Sequence, residues 1–549
     1  MLGFASLLSS CEDMLDLKSE SYVYAEDNKL DSANDSLYSA MGILTQMQKL
    51  GERYVLLGEL RGDLMDVTAE APTSLREISE FNVTAGNEYG SRRDYYSVIN
   101  NCNYALARMD TTITEHLNRV MVPEYVAIKT MRAWTYLQMG LAYGRVRYVD
   151  KPLLSLDETE QSYPEVELDA LVDMLVADLE RYAGEDVPDY GYDDDLDTRR
   201  FFIEPRLLLA DLYLYRNEYQ KAAQGYYDYI RKHNLLISDY SNTWASNQMV
   251  EPKTDNFLMS YDLETVAEIP YASDVKRIHP NLVNLTYNNR PTVVAAPWWG
   301  EAMAMATHFH IDSPTATAVS GMLEGDLRGR FLSPSTSAQV PVSVGTLPAS
   351  EVPGAMVITK YFNTADVDAN LVNPSNALAA GRYVRELPLY RNSHVYLRYA
   401  EALNRLGKPT MAFAILKYGL SPDVMADPLK VDPAELEDEA AWTNFSSHDY
   451  DGNIGTAQRG RGKGIVLSQS TYVIPEFDSA EELTEWVEDA IVEEMAAETQ
   501  FEGNRFFDLV RVSRHRGSTG YFAEKVSRRF ANPVAAKARL ADRENWWLK

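Results

Sequence analysis

The chain of 549 residues has only two cysteines, Cys11 and Cys102. A disulfide framework and a cysteine-rich zinc site are both excluded. Histidine is scarce as well, at eight residues, and no His-Glu-x-x-His spacing occurs. His308 and His310 alternate with Phe309, which reads as a strand or loop and only weakly as a metal pair. No run of 18 uninterrupted apolar residues is found, so nothing in the sequence reads as a membrane-spanning helix, which takes about 20 residues. Positive charge is in deficit: Lys and Arg total 52 against 81 Asp and Glu, a net charge of −29. Binding a polyanion needs a basic face, so nucleic acid is excluded as a partner and an anionic membrane surface is disfavoured. Two motifs fail on inspection. In residues 455–463 Arg461 follows Gly460 and neither Ser nor Thr follows Lys463, which breaks the phosphate-loop spacing. That basic island reads as a partner contact or a solvated loop. Asp449 to Asn453 hints at calcium, but Ile454 and Gly460 occupy the wrong positions for an EF-hand. Neither a cofactor nor a metal is expected.

Aromatics are abundant, with 35 Tyr, 16 Phe and 8 Trp. A composition of 45% hydrophobic and 24% charged residues is that of a globular protein. An acidic, tyrosine-rich surface suits neutral, hydroxylated or amphipathic ligands better than anions. The length points to several domains or one large repeat-built body. The opening residues, Met1 to Ser10, read as the end of a signal-peptide apolar region, and Leu8-Ser9-Ser10-Cys11 resembles the lipobox of bacterial lipoproteins. Residues 1–11 are therefore expected to be a truncated signal peptide and lipobox, with Cys11 as the lipid anchor. The acidic residues just after it suit a tether.

Helical periodicity dominates the rest. A helix is expected over 94–110. Another opens at Pro123 and runs to Gly144, with the stripe Val126, Thr130, Ala133, Leu137, Gly140, Leu141 and Gly144. Its small residues let a second helix approach closely. Segments 210–223 and 400–413 share one pattern: a helix ends at Asn217 or Gly407, and Ala222 or Ala412 follows five residues later in a second helix. This is the turn of a tetratricopeptide-type pair. The texture of 235–390 is different, rich in Pro, Gly, Ser, Thr, Asn and aromatics, with short extended runs at Val293–Val294 and Ala355–Ile358. Stretch 421–480 is similar. Such long loops are where a ligand site is expected.

The C-terminal helix carries the stripe Leu483, Trp486, Val487, Ala490, Ile491 and Met495. Continued at the helical period, that face also takes in Glu494, Glu498, Phe501 and Arg505. Charges on a core-facing stripe need partners. The set reads either as a carboxylate pair for acid–base chemistry or as an ion-pair network fixing helix register. The second is favoured, because no nucleophile or cleft signal lies nearby.

The segment from Glu494 to Arg511, with Glu498, Glu502, Gly503, Arg505, Asp508 and Leu509, resembles the closing signature of the SusD/RagB family. Met495 departs from that pattern, as does Gln500–Phe501. Four further blocks agree in order: Leu60 to Asp63, Tyr96 to Asn103, Arg132 to Gly144, and Tyr396 to Ala402. The resemblance implies a mainly α, SusD-like fold of tetratricopeptide-like helix pairs with a loop-rich irregular ligand-binding portion. It implies one body over 12–549, with helical scaffold at about 30–235, 385–420 and 480–516 and loop-rich parts at about 236–384 and 421–479. The implied function is not enzymatic. It is a cell-surface, lipid-anchored outer-membrane protein that captures an oligosaccharide or polysaccharide. It delivers the nutrient as a lid to a SusC-like TonB-dependent β-barrel transporter. A peptide-binding member is the alternative, and an acidic helical glycoside hydrolase is a more distant one.

Glycan capture needs flat aromatic faces and polar side chains for hydroxyls. The best cluster is Tyr287, Asn289 and Arg290 followed by Trp298 and Trp299. A second comprises Tyr89, Arg92 and Tyr95 beside Asp63 and Asp66, and for it a packed helix start is the bland reading. Trp442 is a weaker third. Trp546 and Trp547 read as packing anchors, as do Tyr213, Tyr215, Tyr219, Tyr226 and Tyr227.

Overall fold

A computed structural model describes the chain from residue 30 to residue 549, apart from 117, 194–195, 238–263, 272–278, 288–289, 311–320, 327, 333–338, 342–343, 346–355, 359, 362–385, 437–440 and 468–469. The proposed anchor Cys11 and the lipobox lie outside the described residues.

The fold is mainly α, with several small antiparallel sheets. Helix α1 (Ala33–Glu59) starts where the Ser32 side chain accepts the Asp35 backbone N–H, satisfying one of the free donors of the first turn. Helices α2 (Arg93–Arg108) and α3 (Val122–Tyr143) match the two expected segments closely. Gly144 ends α3 in the left-handed conformation at φ 72°, and a Cβ there would lie 2.6 Å from the Trp547 ring. Gly140 does what the small-residue stripe predicts. A Cβ at Gly140 would sit 2.8 Å from Leu171, so its absence lets α4 (Leu168–Leu179) pack against α3.

Both expected helix pairs form. Helices α5 (Pro205–Tyr215) and α6 (Tyr219–His233) turn at Asn217, φ 63°. Helices α7 (Asn392–Arg405) and α8 (Pro409–Lys417) turn at Gly407, φ 77°. Helix α7 contacts both α6 and α9 (Ala480–Thr499), so the separated pairs share one core. Tyr213, Tyr215, Tyr226 and Tyr227 are buried in it, and the Tyr226 hydroxyl donates to Asp211 at 2.5 Å. Trp546 is buried as well. Cys102 is a free, buried thiol on α2.

Two expectations are corrected. The C-terminal stripe does not run through one helix. Helix α9 ends at Thr499, Phe501 (φ 65°) and Gly503 (φ 92°) turn the chain, and Arg505 opens a new helix, α10 (Arg505–His515). The periodicity misled because spacing does not register the turn formed by residues 500–504. The basic island at 455–463 is not simply a solvated loop. Residues Thr456–Arg461 form a short helix whose Arg459 is fully buried.

Arg459 belongs to the network that joins the loop-rich part to α9. Strand β1 (Met65–Val67) lies apart from it. Strand β2 (Thr265–Pro270) pairs antiparallel with a strand at Glu386–Arg391 that leads directly into α7. Glu498 Oε1 accepts from Arg459 Nη1 at 2.7 Å, and its Oε2 accepts from Arg328 Nη1 at 3.0 Å. Arg328 also donates to Glu494 at 2.6 Å and chelates Asp326. Arg391 donates to Glu502 at 2.9 Å, and Arg459 reaches Glu264 just before β2. Lys360 completes the set on Glu502. The structural reading of the Glu494–Glu498 pair therefore holds, since both carboxylates are buried in ion pairs from distant segments. Burial opposes the charge on Glu498, but Arg459, Arg328 and Arg391 outweigh it and hold its carboxyl down at about 2.

Glu59, at the end of α1, is the opposite case. It is fully buried, and Oε1 accepts the Gly503 N–H at 2.8 Å. Burial outweighs that bond and pushes the carboxyl up to about 7. Between pH 4.5, the ordinary value, and about 7 the folded chain binds a proton that the unfolded chain has released. Stability from this group is thus full below pH 4.5 and falls as pH rises to 7, by about 3 kcal/mol in all at roughly 1.4 kcal/mol per unit. Glu59→Gln keeps the acceptor and removes the titration. Melting curves from pH 5 to 7.5 are expected to show a smaller decline for the variant than for the parent; parallel curves exclude Glu59 as the source.

Candidate functional site

The two aromatic-rich clusters, one ending at Tyr95 and the other starting at Tyr287, are neighbours in space. Strand β1 pairs antiparallel with β3 (Val293–Ala295), setting Asp66 opposite Val294. The Thr68 N–H donates to Thr292 and the Ala296 N–H to Leu64, which extends the contact at both ends. The Ala295 N–H in turn donates to Met356 O at 2.9 Å, tying in a further loop-rich segment. Pro297 then opens the helix Pro297–Met305, where its missing N–H costs nothing.

The expected site residues divide. Trp298 is half-buried, and its Nε1 donates to Asp63 O at 2.7 Å. The Arg528 guanidinium lies 5.4 Å from its ring centroid, and Trp299 packs at 5.4 Å. Trp299 itself is buried, with Nε1 held by Gln500 Oε1 at 2.9 Å, so its ring faces are used in packing. Tyr287 is also buried. Arg290 keeps 60% of its side chain exposed and pairs with Glu70 at 3.0 Å. Asp66 accepts from Ser79 Oγ at 3.0 Å and lies 3.4 Å from Arg529. Asp63 is spent on Arg505, at 2.6 Å. Tyr89 donates to Glu52 at 2.8 Å, and the same carboxylate accepts the Asn281 N–H at 2.5 Å. That bond ties Tyr89 to the segment carrying Tyr287. Burial and then the Glu52 charge push the Tyr89 hydroxyl well above the usual phenol range. Arg92 stacks over Tyr143 at 4.3 Å instead. Asn289 lies outside the described residues. Trp442 is buried under Lys408.

The surface presented here thus consists of Trp298 with Arg528, the Arg290–Glu70 pair, Asp66, and the Tyr89–Glu52 edge. It offers a partly open aromatic and several hydroxyl-binding groups.

A second surface was missed in the sequence. Glu476, Phe477, Asp478, Glu482, Glu485, Trp486 and Asp489 line an open groove at the start of α9. Phe477 and Trp486 are 6.1 Å apart, and Trp486 packs back on Phe413 at 5.7 Å. Trp486 sits on the core stripe by spacing, so periodicity alone assigned it to packing; the only available signal was Phe477 at the end of the loop-rich stretch.

No protein-family model matches the sequence, and a search of the curated proteins finds no match. Solved structures do match. A SusD superfamily protein from Bacteroides thetaiotaomicron superposes with a TM-score of 0.54 at 16% identity, over 88% of this chain and 89% of that one. Surface glycan-binding protein A from Bacteroides fluxus gives a TM-score of 0.56 at 15% identity, over 92% of each chain. A SusD homolog from Bacteroides thetaiotaomicron gives 0.54 at 14% identity, over 93% of this chain and 90% of that one. The chain has the SusD-like fold.

Proposed function

We propose that this SusD-like chain captures a glycan at a cell surface and acts by binding rather than turnover. The observation that carries the reading is the shared fold with a surface glycan-binding protein over nearly the whole of both chains. The site geometry supports it. Trp298, half-buried, offers aromatic surface for the C–H face of a sugar ring, while Arg290 and Glu70 offer hydrogen-bond partners for hydroxyls. The two carboxylates of β1 and its approach are engaged, Asp63 by Arg505 and Asp66 by Ser79 and Arg529, which speaks against their use as an acid–base pair. In the same reading Cys11 is the lipid anchor on the outer face of the outer membrane, and the partner is a SusC-like TonB-dependent β-barrel that receives the ligand. A peptide ligand in place of the glycan is the second reading within this class.

Affinity electrophoresis against a polysaccharide panel, with a peptide array alongside, tests this. Trp298→Ala combined with Arg290→Ala is expected to weaken binding of the retained ligand by about tenfold or more, the loss of roughly 1.4 kcal/mol. If Trp486→Ala weakens it and the Trp298 variant does not, the ligand occupies the groove at the start of α9. Release of product from any glycan by the purified protein overturns the binding reading.

A further inference from the structure

Arg61 follows α1 by two residues and is 2% exposed. Its Nε donates to Leu57 O at 2.9 Å, at the end of α1. Its Nη1 donates to Leu141 O at 3.1 Å and Ala142 O at 3.3 Å, at the end of α3, and to Trp546 O at 3.3 Å. The Phe506 ring covers the guanidinium at 3.8 Å. Among the described residues Nη2 has no hydrogen-bond partner and no carboxylate forms an ion pair with Arg61. Every other fully buried arginine noted above has such a carboxylate, from Arg328 on Asp326 to Arg505 on Asp63.

Beside Arg61 is a cavity of about 20 Å³ lined by Tyr54, Tyr95, Gln138 and Gly503 and by apolar groups, with no carboxylate in its wall. One water needs roughly 10–15 Å³, so the space fits a guest of a single heavy atom. The carbonyl ends of α1 and α3 bring only partial negative charge, about half a unit per helix. Burial without a carboxylate draws the Arg61 guanidinium down to about 9, with Tyr95 and Tyr143 the groups that oppose it. A buried cation is costly unless paired as well as hydrogen-bonded. Water would supply the missing acceptor; a monovalent anion supplies the acceptor and the countercharge together. Further out, Arg92 stacks on Tyr143, Arg53 lies 5.4 Å from the Tyr95 ring and is paired with Asp94, and Glu59 accepts the Gly503 N–H.

We infer that this cavity at the junction of α1, α2, α3 and α10 is a binding site for a single small monovalent anion of halide size, held by Arg61.

Crystals of the full chain grown in sodium bromide test the inference directly. An anomalous peak in the cavity within hydrogen-bonding distance of Arg61 Nη2 is expected. Thermal melting of the same protein, titrated with sodium bromide against sodium gluconate at constant ionic strength, should show a saturable rise in Tm with the halide alone. In Arg61→Met the halide response should be lost or its midpoint shifted at least tenfold. If that variant does not fold, the bromide map of the parent still decides. Solvent density without anomalous signal, or equal melting in the two salts, overturns the inference.

Discussion

Substituting Glu498 by glutamine is expected to lower the stability of the fold by about 3–5 kcal/mol, the cost of breaking a buried ion network from one side. Glu498 is fully buried and its two oxygens face Arg459, Arg328 and Arg391. The amide offers one acceptor and no charge, which leaves three guanidinium groups sharing the remaining carboxylates. The loss should appear as a lowered Tm and faster amide exchange in β2 and in the strand Glu386–Arg391, the two segments this network holds against α9. A change within about 0.5 kcal/mol, the scale of an ordinary surface substitution, would show that the network does not secure the loop-rich part. The pH dependence has a definite sign. The Glu498 pKa is about 2 in the folded chain against an ordinary 4.5. Its contribution is complete above pH 4.5 and is lost as pH falls toward 2. The glutamine variant should therefore show less acid destabilisation in that window than its parent.

Gly58→Ala is the second change with a large expected effect. Gly58 lies inside α1, where the turn at Gly503 crosses it, and a Cβ at position 58 would collide with the Gly503 carbonyl. The Cβ position is fixed by its own helix and the other party is backbone, so neither yields by a change of rotamer. The expected cost is about 3 kcal/mol or more, at the upper end of core overpacking. Gly503→Ala should be comparable: its φ of 92° disfavours any side chain, and a Cβ there would lie 2.7 Å from the Tyr54 ring. Gly42→Ala on the same helix is the control, because a Cβ at that position meets nothing within 4 Å. There the change should be neutral or slightly stabilising, as alanine is the better helix former. Denaturant unfolding of the three variants distinguishes these outcomes, and a cost at position 58 no larger than at 42 refutes the close crossing.

The turn that these glycines serve is also where reading the sequence went astray. Leu483, Trp486, Val487, Ala490, Ile491 and Met495 repeat at helical spacing, and that pattern formed α9 as expected. Its extension to Arg505 failed because periodicity carries no information about a left-handed residue such as Phe501, φ 65°, at a position where a non-glycine is uncommon. At the candidate site the chemistry of the residues was legible and their exposure was not. Trp298 and Trp299 are adjacent and read alike, yet one is half-buried beside Arg528 and the other is sealed under Gln500. Successive residues point in different directions on a helix, and which direction faces the core depends on what packs there.

The sequence by itself determined helices α2 and α3, the two helix pairs and the residues that end or turn them. Asn217, Gly407 and Gly144 act within one turn of chain, and their left-handed conformations follow from residue type: glycine has no Cβ, and asparagine's short polar side chain tolerates the same region. It also carried the resemblance that the fold bears out. The tertiary structure alone decided the partners. Arg328 meets Glu498 across 170 residues, and Arg505 meets Asp63 across 442. A charge in the sequence states only that it needs a countercharge or water. Which of the 81 acidic residues answers each cation is set by where packing brings the chain back upon itself.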